Sequence, residues 1–74
     1  MKKEAKPKFW VGQEPLNCDA CDTEIIDEFS DCRLGSTWGN FCPRCVKKYQ
    51  LVYGKDYGQR YTKQADGEWL KTAG

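Results

Sequence analysis

Two CxxC motifs, CDAC at 18–21 and CPRC at 42–45, stand twenty residues apart in a chain of 74, and no other feature restricts its fold as much. Two residues between the cysteines of a pair let a tight turn aim both sulfurs at one ion, and two such turns complete a tetrahedron at metal–sulfur distances of about 2.3 Å. The spacing reads as a four-thiolate site with Cys18, Cys21, Cys42 and Cys45 as ligands to one structural Zn²⁺ per chain. The chain has no His, so His-containing ligand sets do not apply. A closed four-sulfur site has no open position for a metal-bound water, and hydrolytic zinc chemistry is not expected. Iron is the alternative metal, but rubredoxin-like carriers typically follow each CxxC with Gly, where this chain has Asp22 and Val46.

A single domain of this length has a small apolar core, so a staple is expected. Five cysteines, an odd number, fit a disulfide framework poorly. The start MKKEAKPK leads into no apolar stretch of signal-peptide length, and no window is long enough to span a membrane. The expected compartment is therefore a reducing cytoplasm, where paired cysteines serve as metal ligands or redox centres. Twelve Lys and Arg against eleven Asp and Glu lack the basic excess of a dedicated nucleic-acid binder. The charges are nevertheless segregated: residues 14–31 carry seven acids and no base, between basic flanks. Residues 1–8 read as a flexible basic tail and 9–74 as a single zinc-binding domain.

The stretch EFSDCRL at 28–34 alternates, and GSTWGN at 35–40 supplies turn formers, which predicts a β-hairpin with Trp38 at its tip. Pro43 suits a first helical turn, and Cys45, Tyr49, Val52 and Tyr53 recur at helical spacing, so a helix is expected over about 43–53. RYTKQ at 60–64, ADG at 65–67 and EWLKT at 68–72 predict a second hairpin, with Tyr61 and Trp69 packed over the helix. Knuckle, hairpin and a knuckle running into a helix give the order of a treble-clef zinc finger, a small metal-stapled α+β domain with a C-terminal β-hairpin. A zinc ribbon is the alternative.

Candidate contact residues follow from this layout. Arg44, Lys47 and Lys48 share a side of the predicted helix beside the metal, where Arg60, Lys63 and Lys71 could extend the patch. They suit phosphate contacts, or they offset the −2 formal charge of a metal with four thiolates. Trp38 at a hairpin tip is an interaction anchor, and Trp38 or Tyr57 offers a face on which a base can stack. Cys32, outside both pairs, reads as a small buried hydrophobe, with a redox-reactive thiol as its other reading. The carboxylates Glu24, Asp27, Glu28 and Asp31 have no His partner and read as a solvated acidic face, so no enzyme is expected.

CDAC, EFSD, WGNFCPRCVKKY and GQRYTKQADGEWLK together resemble small zinc-finger-type proteins of tailed bacteriophages, largely without assigned function, from about Phe9 to the C-terminus. The resemblance implies a phage protein acting in the cytoplasm of an infected bacterium. It places the metal role on the four paired cysteines and implies no activity. Where the similar proteins are glycine-rich after KKY, this chain has QLVYGKDYGQRY, with Gln50, Val52 and Asp56 in place of glycines. That change is expected to extend the helix and to give Leu51, Val52 and Tyr53 a role in binding a partner of this chain's own. The first expectation for function is a non-enzymatic module that binds a host or phage protein, as inhibitor or adaptor. A nucleic-acid-binding regulator comes second and a CxxC thiol redox protein third. Exposed aromatics also permit a homodimer.

Overall fold

The computed structural model describes residues 7–74, so residues 1–6 of the expected tail lie outside the described residues. In chain order the elements are β1 (Glu28–Leu34), β2 (Thr37–Phe41), α1 (Pro43–Lys48), β3 (Gly58–Lys63) and β4 (Trp69–Ala73). The strands form one antiparallel sheet in the order β2-β1-β3-β4. Among the described residues no helix is long and apolar enough to cross a membrane.

Both predicted hairpins are present. The first turns on Gly35 and Ser36 alone, between the paired Leu34 and Thr37. Gly35 has φ +67°, the conformation that a two-residue hairpin turn with glycine first requires. Trp38 therefore lies inside β2 rather than at the tip. In the second hairpin Asp66 accepts the Glu68 N–H through its carboxylate, and the Gln64 N–H bonds to the Glu68 carbonyl. The sequence does not announce that β1 also pairs with β3, Phe29 opposite Tyr61 and Cys32 opposite Gly58, which merges the two hairpins into one sheet.

The alternation of β1 then builds two small cores, one on each face. Ser30 and Cys32 face the cysteine motifs, in a cluster of Cys18, Cys32, Phe41, Cys42 and Cys45 against which Val46, Leu51 and Tyr53 pack. Phe29 faces the other way, into Ile25 and Trp69 with Trp10 and Tyr61 alongside. Phe29 stacks on Tyr61 with ring centroids 5.3 Å apart and meets Trp69 edge-on at 5.0 Å. Tyr61 and Trp69 thus do not pack over the helix: their parity in β3 and β4 puts them with Phe29, on the face away from α1. Both sheet edges are partly covered. Phe9 bridges to Leu70 beside β4, and Asp19 bonds the Asn40 N–H and carbonyl on β2.

The helix is shorter than expected, ending at Lys48 rather than near residue 53. Its first turn begins as predicted, with Pro43 following the N-cap residue Cys42. It stops because Gln50 takes φ +54°, after which the Leu51 N–H reaches back to the Val46 carbonyl and the Gln50 N–H to that of Lys47. These two bonds form a Schellman motif, and Val46 and Leu51 supply its hydrophobic contact. The expected extension of the helix does not occur, because Gln50 adopts the left-handed backbone conformation that favours glycine.

Candidate metal centre

The sulfurs of Cys18, Cys21, Cys42 and Cys45 all lie within 4.8 Å of one another. Two elements bring them together. In the first knuckle the Cys18 N–H bonds to the Thr23 carbonyl and the Asp22 N–H to the Cys18 carbonyl, each at 2.8 Å. Asp22 leaves the turn at φ +65°, a conformation Asp tolerates better than most residues. In the second knuckle Cys42 caps α1 and Cys45 sits one turn inside it, buried. The Asp19 contacts with Asn40 fasten the two knuckles to each other through β2.

The donor set fits a metal. Metal–sulfur bonds of about 2.3 Å in a tetrahedron put sulfurs about 3.8 Å apart, and Cys21 Sγ lies 3.7 Å from Cys42 Sγ. The Ala20 N–H points at Cys18 Sγ from 3.4 Å, a donor that stabilises a thiolate rather than a thiol, and the Cys21 thiol bonds to Thr23 Oγ1 at 3.1 Å.

Electrostatics in the cluster pull in opposite directions. Burial raises the Cys18 thiol, but backbone hydrogen bonds from Cys42, Cys21 and Ala20 outweigh it and the net shift is downward. Exposed Cys21 is brought down to about 6, chiefly by the Thr23 hydroxyl and then the Thr23 backbone. Cys45 is pushed up to about 12, by burial first and then by the neighbouring thiols. Four sulfurs this close cannot all ionise unaided, and a divalent cation removes the conflict.

The remaining residues named from the sequence fall in separate places. Arg44, Lys47 and Lys48 are exposed on α1. Arg44 borders a groove of about 300 Å³ with Glu24, Asp27 and Glu28, near the start of β1. Trp38 and Tyr57 are about half exposed at the other end of β1, flanking Arg33. Leu51 is half-buried, where it closes α1. Arg60 bonds Thr72, and Lys63 pairs with Glu14 at 3.7 Å, so neither extends the helix patch. Cys32 is buried outside the group of four, pushed up to about 11 by burial and then by the Asp31 charge. Sequence reasoning missed Arg33, Thr23 and Asp19. The two-residue turn at Gly35 and Ser36 was the available signal for Arg33, because it fixes the register that sets Trp38 opposite it.

Compared with known protein families, with curated proteins and with solved structures, the chain matches none.

Proposed function

We propose that this chain is a non-enzymatic zinc module of bacteriophage origin that binds a protein partner in the bacterial cytoplasm, as a host-factor inhibitor or an adaptor. The observation that carries the reading is the convergence of four cysteine sulfurs to within 4.8 Å of one another. A closed thiolate set suits zinc as architecture, and structural zinc binding is worth roughly 10–16 kcal/mol, a large share of what holds so small a fold together. The treble-clef reading is favoured over the ribbon because Cys45 lies in a helix rather than a second hairpin.

A protein partner is favoured over nucleic acid by the separation of Arg44, beside the metal, from Trp38 and Tyr57. Arg44 shares its groove with three carboxylates, which oppose a phosphate chain, while Trp38 and Tyr57 sit at the far end of β1. The thiol redox reading draws on one observation, the acidic and exposed Cys21, and it requires the metal to be absent.

Elemental mass spectrometry on reduced, tag-free protein is expected to give one zinc per chain, and Cys45→Ser is expected to abolish it. Metal-free protein with its fold intact would overturn the zinc reading in favour of redox chemistry. Affinity capture from bacterial lysate is expected to retain a protein that survives nuclease treatment and is lost with Trp38→Ala. Capture of nucleic acid alone, released steeply by salt, would overturn the protein-binding reading.

A further inference from the structure

Arg33 stands between two aromatic side chains on one face of the sheet. The β1–β2 register sets it opposite Trp38. Its N–H bonds to the Tyr57 carbonyl at 2.9 Å, and its guanidinium lies 5.4 Å from the Tyr57 ring centroid. All three side chains are substantially exposed, Trp38 at 46% and Tyr57 at 50%. Among the described residues the one ion pair joins Lys63 to Glu14, so Arg33 has no carboxylate partner there. Trp, Tyr and Arg are the residue types most enriched at the energetic centres of protein interfaces. The groove of about 520 Å³ that Trp38 borders is separate from this patch, because Leu34 and Phe41, which line it, alternate to the other face of the sheet.

Resting on the protein-binding reading above, we infer that Arg33, Trp38 and Tyr57 form the contact patch, and that the partner presents a short segment with a carboxylate for Arg33 beside an apolar side chain that packs on the two aromatic rings. The Tyr57 ring under the guanidinium orients it for a charge-assisted bond to a carboxylate. The exposed Trp38 and Tyr57 rings on either side of Arg33 accept one apolar side chain from a residue one or two positions away in an extended segment. Binding proceeds through side chains rather than by strand addition to β2, because Asp19 already occupies the Asn40 N–H and carbonyl. A phosphate chain fits less well: Asp31 shares the β1 face with Arg33, so the site tolerates one anionic group and repels a row of them.

The test is a displayed library of random twelve-residue peptides, selected on zinc-loaded protein and measured by fluorescence anisotropy. Enriched peptides are expected to carry Asp or Glu within two residues of a large apolar side chain. Their affinity is expected to fall about tenfold or more with Arg33→Ala and with Trp38→Ala, and to be unchanged with Arg44→Ala. Selection on Arg33→Glu is expected to exchange the acidic residue for a basic one, which a merely misfolded variant would not do. Zinc content and circular dichroism verify each fold. Peptides that bind without an acidic residue, or indifferently to Arg33 and Trp38, would overturn the proposal while leaving a protein-binding module standing. Enrichment of nothing, with fifteen-nucleotide oligothymidine bound instead, would overturn both. Self-association in sedimentation that is lost with Arg33→Ala and with Ile26→Ser, Ile26 being an exposed residue in the acidic segment, would assign the patch to a second copy and overturn it as well.

Discussion

Single residues divide here into those whose role follows from spacing and those whose role follows from a neighbour across the sheet. Cys18, Cys21, Cys42 and Cys45 belong to the first group, because a thiolate pair two residues apart carries its geometry with it. Cys32 and Gly58 belong to the second: no local pattern shows that Cys32 is flanked by glycine on both neighbouring strands, Gly39 on β2 and Gly58 on β3. A Cβ at Gly58 would collide with Cys32 Sγ and come within 2.9 Å of the Val52 carbonyl. Gly58→Ala is therefore expected to destabilise the fold by about 1–3 kcal/mol through overpacking. Cys32→Ala, which opens room for that methyl, is expected to recover part of the loss, so the double variant is less damaged than the sum of the singles. Urea midpoints of the four proteins measure the coupling; strict additivity would show that Gly58 serves the backbone and not the sulfur. Zinc stoichiometry is expected to survive Cys32→Ala, since its sulfur lies outside the group of four.

Among the elements, strands were more legible than the helix end. Alternation in EFSDCRL and the turn chemistry of Gly35 and of Asp66–Gly67 place both hairpins. The end of α1 depended on a residue that gives no warning, since glutamine is a good helix former that takes a left-handed conformation only under constraint. The constraint is tertiary: Leu51 is drawn against Val46 and the cysteine cluster, which forces the chain to reverse at Gln50. Gln50→Gly is expected to stabilise the protein by about 1 kcal/mol by removing that conformational cost. Leu51→Ala is expected to destabilise it and to loosen the last turn of the helix. Thermal midpoints of the zinc-loaded variants test both signs, and a loss of stability with Gln50→Gly would mean that the glutamine side chain makes a contact worth more than the strain.

At the scale of the whole molecule, the question is whether the metal holds one face or the entire domain. The aromatic core of Phe29 and Trp69 is a cluster separate from the cysteines, yet it shares three connections with them. Strand β1 carries Phe29 on one face and Cys32 on the other. The segment between the N-terminal bridge and β1 supplies both Cys18 and Ile25, and the Ile25 N–H bonds to the Leu16 carbonyl across the first knuckle. Trp69 Nε1 donates to Glu14 at 3.2 Å, tying the second hairpin to that same segment. Three buried side chains, Ile25, Phe29 and Trp69, are too few to order a sheet alone once the knuckle that positions Ile25 is released. Titration with a chelator is therefore expected to unfold the protein in one transition, with near-ultraviolet dichroism from the tryptophans and far-ultraviolet dichroism from the backbone changing together. Acid is expected to act in the same direction, because binding requires thiolates: the metal depresses the ligands' proton affinity in the folded state, and the stability it supplies is lost as pH falls and the sulfurs are protonated. Tryptophan signals that persisted after the metal had left would show the opposite arrangement, a self-sufficient aromatic half carrying a detachable metal lobe.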